Sequence, residues 1–453
     1  GQEIRPELTV QRVKNGETVT LEQGTDYTLA YADNVEIGQA AITLTGQGHY
    51  TGTRTVNFNI VPADLRGWDG VAAAQVTGIE DKIYNGQVQI QNPVVTFRGV
   101  TLTESTDYTL SYRDNVNVGT ATVIITGTGH YTGTLEATFL IESSIDRIAG
   151  KDRFLTAFDA ADRLKRELGV TAFSNVVIAS GTDFPDALAG AYLAKVKDAP
   201  ILLTSAGMAP TVAQYIKTNM VPGGGIYILG GKSAVPMVME DELHKLGFND
   251  ANIHRLAGSN RYLTNIEILK AAGVTGEDLL ICSGKGYADS LSASAVGRPI
   301  LLVGDSLTTA QTDYLTEVRT QLGGNIYAIG GNGVVSEQVF SDVADWVHPG
   351  GVPVGADIAR VSGANRFATS KAVADKFFPD GCERVVLAYA MNYPDGLAGG
   401  PVAYSLGAPL LLVTNDNYSE AKDFAQAAHA ARCTVMGGQT LISDEVALRI
   451  ITN

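Results

Sequence analysis

The chain has 453 residues, of which 45% are apolar, and its formal net charge is −15. This length and apolar content can fill several separate cores, so we expect an ordered multidomain protein. The negative charge argues against nucleic-acid binding, which needs a positive face. The three cysteines show no disulfide or metal-ligand spacing. No apolar run is long enough to cross a membrane, and without a signal peptide or sorting signal we expect a fragment of a larger precursor.

The N-terminal third contains one pattern twice, at an offset of 81 residues. Asp-Tyr-Thr-Leu-x-Tyr-x-Asp-Asn-Val stands at 26–35 and 107–116, and Thr-Gly-x-Gly-His-Tyr-Thr-Gly-Thr at 45–53 and 126–134. Between these turns polar and apolar residues alternate, which predicts short antiparallel strands. We therefore expect two small all-β sandwiches, at 1–61 (truncated at its N-terminus) and 62–143. They resemble the Ig-like repeats of Gram-positive surface proteins. His49 and His130 occupy matching turns in separate units, so we interpret them as turn residues.

The rest of the chain is organised by a motif that occurs three times, Arg-x-x-Gly-x-x-Arg-aromatic-x-Thr. The copies start at Arg147, Arg255 and Arg360, 108 and then 105 residues apart (147 to 255, 255 to 360). Recurrence at a nearly fixed period indicates one structural unit built three times. The predicted repeats span 144–252, 253–357 and 358–453.

Each copy continues with the same order of elements. An amphipathic stretch is followed by an apolar strand, an aromatic-x-Asp-x-Leu helix start, a Pro-(Ile/Leu)-Leu-Leu strand, a further helix and a third strand that ends in Gly-Gly. Strands that are apolar throughout are typical of parallel sheets covered by helices on both faces. We expect three Rossmann-like α/β units in a pseudo-threefold arrangement, that is, an internal pseudo-trimer. The oligomeric state of the chain stays open.

These ordered motifs resemble cell-wall-binding repeat type 2, which is found in threes, over about residues 145–453. The resemblance implies an exported protein at the cell surface of a Gram-positive bacterium. It also implies non-covalent binding to an anionic cell-wall glycopolymer, teichoic-acid-like, or to peptidoglycan. Relatives often join the triplet to an amidase or protease domain, and we find neither in this chain.

Two sets of residues are candidates for polymer binding. Guanidinium groups suit phosphate or carboxylate, and glycine N–H groups between a strand and a helix can receive an anion. The arginine candidates are Arg147, Arg153, Arg255, Arg261, Arg360 and Arg366. The glycine candidates are Gly230, Gly231, Gly330, Gly331, Gly437 and Gly438. Both sets have a structural alternative: the arginines could lock their loops to Asp186, Asp289 and Asp395 and tie the units together, and the glycines could allow helix–sheet packing.

Catalysis and cofactors have little support. The three aspartates stand where helices begin, so we expect them to be N-caps rather than catalytic groups. Without Gly-x-Gly-x-x-Gly or a phosphate loop, no dinucleotide or other cofactor is expected. Gly304-Asp305-Ser306-Leu307 resembles the nucleophile turn of GDSL hydrolases, with Asp345 and His348 downstream, but repeats one and three lack it.

We therefore expect a cell-wall anchor with Ig-like spacers and no enzyme activity, in which three similar units bind through many weak contacts. Two alternatives remain open: an adhesin or scaffold whose triplet binds proteins, and, more remotely, a GDSL-type hydrolase.

Overall fold

The structure is a computed structural model that describes residues 2–452. The chain divides into two compact units, Gly1–Glu142 and Ser143–Asn453. The strands of the first unit are β1 (Gln11–Lys14), β2 (Glu17–Thr20), β3 (Tyr27–Ala32), β4 (Gly38–Gly46), β5 (Thr53–Ile60), β6 (Ala63–Asp64), β7 (Gln75–Thr77), β8 (Lys82–Ile83), β9 (Val94–Phe97), β10 (Val100–Thr101), β11 (Tyr108–Arg113), β12 (Gly119–Gly127), β13 (Tyr131–Thr132) and β14 (Thr134–Glu142).

The first unit consists of small sheets whose pairing is mostly antiparallel. In the N-terminal half, β1 pairs with β2, and β3-β4-β5 forms a second sheet. In the C-terminal half the orders are β10-β9-β7 and β11-β12-β14-β8, while β13 pairs with β6. Alternate residues of β12 point into a core around Val123 and Ile125, both fully buried, as period-2 alternation requires. The strands agree with the predicted all-β character; the Ig-like assignment stays a prediction.

The second unit alternates strands and helices. Its strands are β15 (Ile145–Ile148), β16 (Phe173–Ser180), β17 (Ile201–Thr204), β18 (Met220–Leu229), β19 (Ile253–Leu256), β20 (Leu279–Ser283), β21 (Ile300–Val303), β22 (Ile326–Ile329), β23 (Ile358–Val361), β24 (Arg384–Tyr389), β25 (Leu410–Val413) and β26 (Arg432–Met436). Its α-helices are α1 (Arg153–Glu167), α2 (Pro185–Val196), α3 (Ala209–Asn219), α4 (Val238–Lys245), α5 (Arg261–Ala272), α6 (Ala288–Ala293), α7 (Thr309–Val318), α8 (Glu337–Val347), α9 (Arg366–Phe377), α10 (Pro394–Leu397), α11 (Gly399–Ser405), α12 (Ser419–Ala427) and α13 (Asp444–Ile451). A 3₁₀ turn, Ser294–Val296, follows α6.

Three four-stranded parallel sheets confirm the predicted repeated α/β organisation. Their strand orders are β17-β16-β18-β19, β21-β20-β22-β23 and β25-β24-β26-β15. In each sheet the last strand comes from the following sequence repeat, and the third sheet takes β15 from the first repeat. The three sheets are therefore linked in a closed cycle.

The sheets are stable because both of their faces are covered. All four residues of β17, β21, β22 and β25 are buried. Leu202 and Leu411, in the Leu-Leu segments of the first and third repeats, have no exposed surface. Each buried leucine of this kind stabilises the fold by about 1.5–3 kcal/mol. Because the strands are parallel, their carboxyl ends and the loops that follow lie at the same end of each sheet. The repeated motifs meet there.

Candidate functional site

The motif loop before each first helix is built in the same way in all three repeats. The backbone N–H of the motif glycine donates to Oγ1 of the motif threonine at 3.1 Å, in Gly150–Thr156, Gly258–Thr264 and Gly363–Thr369. A Cβ on Gly150 would lie 2.4 Å from Leu155, so this loop needs glycine. The residue before the second arginine is the N-cap of the helix: Asp152, Asn260 or Asn365. The motif thus places the second arginine at the first position of the helix.

The first arginine of each motif fastens its repeat to another. Arg147 donates to the carbonyl oxygens of Gly437 and Ile442 at 2.6 and 2.8 Å. The equivalent glycine contacts are Arg255 to Gly230 at 2.7 Å and Arg360 to Gly330 at 2.9 Å. Each guanidinium also pairs with an acid, Asp444 at 2.6 Å, Glu240 at 3.0 Å or Glu337 at 2.9 Å. These contacts match the structural alternative for the first arginines, although their acidic partners are not the predicted aspartates.

The first glycine of each Gly-Gly pair is already committed to protein contacts. Gly230, Gly330 and Gly437 have φ of 97°, 102° and 100°, a conformation that disfavours side chains. Their N–H groups donate to Leu256, Val361 and Ile148, the last residues of the strands supplied by the next repeat. Their carbonyls accept from the first arginines, as described above. The second glycines are placed differently, since Gly331 and Gly438 line cavities. Gly231 follows Gly230 at the equivalent position.

The second arginine of each motif lies at the carboxyl ends of the strands. One guanidinium nitrogen, Nη1, donates to a carbonyl just beyond β16, β20 or β24, the strand that follows the first helix of the same repeat. The pairs are Arg153 with Gly181 at 2.7 Å, Arg261 with Gly284 at 2.7 Å and Arg366 with Ala390 at 2.6 Å. Arg153 and Arg366 line cavities together with Asp395 and Asp289 of the preceding repeat in the cycle. The second arginines therefore reach the sites where two repeats meet.

The three aspartates are not N-caps, which corrects the prediction from sequence. The caps are the aromatic residues two positions earlier, Phe184, Tyr287 and Tyr393, and they make no side-chain cap hydrogen bond. The aspartates lie one residue inside the helix and face the first glycine of Gly-Gly. A Cβ on Gly230 would stand 2.4 Å from Oδ2 of Asp186.

Burial of these carboxyl groups shifts their protonation. Burial, and the nearby charge of Asp183, raise the pKa of Asp186 to about 6, while Arg261 acts in the opposite direction. Burial likewise raises the pKa of Asp289, opposed by Arg366. Both carboxyls are thus held near arginines of the next repeat without a hydrogen bond to them.

A cluster of three aromatic rings joins the repeats, and sequence reasoning missed it. The rings of Phe184, Tyr287 and Tyr393 lie 5.5–5.8 Å apart, centroid to centroid. The Tyr287 hydroxyl donates to the carbonyl of Ala390 at 3.2 Å, and that of Tyr393 donates to Thr182 at 2.9 Å. The signal was present, because an aromatic residue precedes the helical Asp in every repeat.

We name three clefts by the repeats that form them. The first holds Asp186 and Gly230 of repeat one and Arg261 of repeat two. The second holds Asp289 and Gly331 of repeat two and Arg366 of repeat three, with a cavity of about 590 Å³. The third holds Asp395 and Gly438 of repeat three and Arg153 of repeat one, with a cavity of about 340 Å³. Within residues 2–452, no group of three or more His, Cys, Asp or Glu side chains is arranged to hold a metal ion.

The residues of the GDSL-like segment do not form a catalytic pair. Ser306 follows β21 at the carboxyl edge of the second sheet, and Asp305 there pairs with Lys285 at 2.6 Å. His348 lies at the amino edge, where its Nε2 is 2.8 Å from the carbonyl of Gly324. A four-residue parallel strand separates these edges by roughly 10 Å or more. The histidine is too far away to act as a base for the serine.

Comparisons with known proteins match this architecture. The family model "Cell wall binding domain 2 (CWB2)" matches residues 147–240, 255–340 and 360–447, each match starting at a first arginine. The chain is 27% identical over 318 residues to N-acetylmuramoyl-L-alanine amidase LytC of Bacillus subtilis (strain 168), covering 68% of this chain and 58% of that protein. It is 25% identical over 307 residues to the Amidase enhancer of the same organism, covering 66% and 39%. It thus spans less than two thirds of either relative.

Two solved structures share the fold. Cwp6 from Clostridium difficile has a TM-score of 0.59 at 17% identity, covering 95% of this chain and 69% of that one. Cwp8 from Clostridium difficile has a TM-score of 0.59 at 18% identity, covering 97% and 86%. Among residues 2–452, no helix is long and apolar enough to span a membrane. Because the family model matches more than half of the chain, in three copies that coincide with the arginine motifs, the chain belongs to the Cell wall binding domain 2 family.

Proposed function

We propose that the triplet anchors an exported surface protein to the Gram-positive cell wall by binding an anionic secondary polymer, teichoic-acid-like in charge. The observation that carries this proposal is the repetition of one cleft. In the second and third clefts a cavity is lined by the second arginine of the next repeat, and the first cleft contains the equivalent arginine, Arg261. Guanidinium groups with free N–H donors are suited to phosphate and carboxylate. Repeat membership in the Cell wall binding domain 2 family supports the same conclusion.

The second arginines are the better candidates for this role. Arg147, Arg255 and Arg360 are only 16–18% exposed, and each is held by backbone carbonyls and a carboxylate. The second arginines, Arg153, Arg261 and Arg366, each use one nitrogen to donate to a backbone carbonyl. The rest of each guanidinium lies at a cleft. Of the glycines, Gly331 and Gly438 line the two cavities, which supports a role for their backbone N–H groups in receiving an anion, and Gly231 is their equivalent.

Several weak sites on one chain would give firm attachment. A polymer carries many identical charged units, so a second contact forms at a high effective concentration once the first is made. This explains how a chain of net charge −15 can bind an acidic polymer through local cationic clefts. We further propose that residues 1–61 and 62–143 are Ig-like spacers and that the repeats at 144–252, 253–357 and 358–453 form a pseudo-threefold triplet.

Co-sedimentation with purified Gram-positive walls tests the proposal. The full chain should pellet with intact walls and stay in solution after acid treatment has removed the secondary polymers. Pelleting that survives the treatment would identify peptidoglycan as the ligand instead. If the chain pellets with neither preparation, the anchor function is wrong, and a protein-binding adhesin or scaffold becomes the better explanation.

A further inference from the structure

The three clefts follow one plan but differ at the residue before the central aromatic ring. That residue is Asp183 in repeat one, Gly286 in repeat two and Asn392 in repeat three. It lies beside the position that the arginine of the next repeat reaches. Its charge therefore decides how much of that guanidinium is available to an anion.

In the first cleft an acid lies beside the arginine. Nη2 of Arg261 is 3.6 Å from Oδ2 of Asp183. The guanidinium also lies 5.7 Å from the centroid of the Phe184 ring, a contact that Arg366 shares in the second cleft, at 5.5 Å from Tyr287. Asp186 adds a second carboxyl to the same cleft. Two acids face one cation there, so an incoming anion meets repulsion as well as a partner that is already engaged.

In the second cleft the arginine has no carboxylate partner at salt-bridge distance among residues 2–452. Nη1 of Arg366 donates to the carbonyl of Ala390 and to the hydroxyl of Tyr287, at 2.6 and 3.0 Å. Gly286 leaves the position of Asp183 without charge. A further cation lines the cavity, Lys285, where the other repeats have Thr182 and Met391.

Lys285 pairs with Asp305 at 2.6 Å, but this pair is open to solvent. The side chain of Lys285 is 59% exposed and that of Asp305 is 90% exposed. Exposed pairs of this kind contribute little and exchange partners easily. An anion in the cavity can therefore recruit Lys285 in addition to Arg366.

From these differences we infer that the cleft between repeats two and three is the principal anion-binding site of the triplet. The third cleft has neutral Asn392 but also an acid, Asp152, beside its lysine, Lys151, so it binds more weakly. The first binds most weakly, because Asp183 lies beside its arginine. The ligand is a sugar unit that carries a phosphate or a carboxylate. Arg366 and Lys285 receive its charge, and the aromatic wall of the cavity contacts the apolar face of the sugar. This inference rests on the proposed polymer-binding function and assigns it to one cleft.

Two substitutions test the assignment: one adds an acid to the second cleft, and the other removes the acid from the first. Gly286→Asp places in the second cleft the acid that the first cleft has, and a Cβ on Gly286 has no neighbour within 4 Å. Asp183→Asn gives the first cleft the residue of the third. It keeps the local turn, because Oδ1 of Asn392 accepts from the N–H of Tyr393 at 2.9 Å as Asp183 does from Phe184.

The full chain is titrated by calorimetry at low salt with two probes, polyglycerol-phosphate oligomers and oligogalacturonate. We expect Gly286→Asp to weaken binding of the preferred probe by about tenfold or more, the effect of about 1.4 kcal/mol. Asp183→Asn should leave the main site intact and strengthen binding at the first cleft. Preference for the first probe assigns a phosphate-bearing ligand, and preference for the second a carboxylate-bearing one.

Arg366→Gln and Arg261→Gln are the matched controls, because each arginine donates to the corresponding backbone carbonyl. Similar structural damage should appear as similar shifts in Tm, whereas the loss of affinity should be clearly greater for Arg366→Gln than for Arg261→Gln. Equal losses of affinity for the two variants, or full binding by Gly286→Asp, would overturn the assignment while leaving wall binding intact. A wild-type chain that binds neither walls nor probes would overturn both.

Discussion

Arg147 donates to the carbonyl of Gly437 at 2.6 Å, across 290 residues of sequence. The same contact joins Arg255 to Gly230 and Arg360 to Gly330, but there the partners are only 25 and 30 residues apart. The pairing of β15 with β26 accompanies the long-range contact. Arg147 therefore closes the cycle of sheets by the same interaction that links consecutive repeats.

Arg147→Ala should destabilise the second unit by about 2–4 kcal/mol, because it leaves two buried carbonyls and Asp444 without their charged donor. Denaturant unfolding followed by circular dichroism measures this. Arg166→Ala, at an exposed position of α1, is the control and should change stability by less than about 0.5 kcal/mol. Equal stability of the two variants would show that the closing contact contributes nothing.

Gly330→Ala should destabilise the second unit by about 2–4 kcal/mol, because alanine would adopt φ of 102°. Its Cβ would also stand 2.5 Å from Oδ2 of Asp289. Gly333→Ala is the matched control, since a Cβ there meets nothing within 4 Å. Thermal unfolding of both variants should show a lowered Tm for the first alone, and a similar Tm would contradict the described packing.

Stability should fall as pH rises through the range in which Asp186 loses its proton. Its pKa is raised from 3.8 to about 6 in the folded protein, so the folded state binds more protons than the unfolded state between these values. The stabilisation is complete below about pH 4 and is lost as the pH passes 6.

Asp186→Asn removes this titration and should raise stability at pH 7 by about 1–3 kcal/mol, with little difference from wild type at pH 4. Melting curves from pH 4 to 8 measure the effect. The same stability difference between wild type and variant at every pH would show that Asp186 does not titrate as described.

Ser306→Ala should leave both stability and wall binding unchanged, because Ser306 is exposed and lies at the opposite sheet edge from His348. Hydrolysis of p-nitrophenyl acetate should occur at the same background rate with wild type and variant. A rate that disappears in the variant would revive the hydrolase alternative.

The sequence was sufficient for the features that are encoded locally. Apolar strands such as Leu279–Ser283 and the amphipathic pattern of α1 carry their own periodicity, so the alternation of strands and helices and the parallel sheets could be predicted. The threefold motif identified the family. The roles of the aspartates were predicted wrongly, because the motif shows that Asp186 stands near a helix start but not which way its carboxyl points.

The identity of each arginine's partner was decided by the tertiary structure. Arg147 and Arg153 are six residues apart in one motif, yet one fastens two repeats together and the other reaches a cleft. The sequence alone does not show which of the six arginines are structural and which reach a cleft. Their partners come from strands and loops that only the cyclic pairing of the sheets brings together. The difference between Asp183 and Gly286 is visible in the sequence, but its meaning depends on which arginine folds against it, and that is fixed by contacts between repeats.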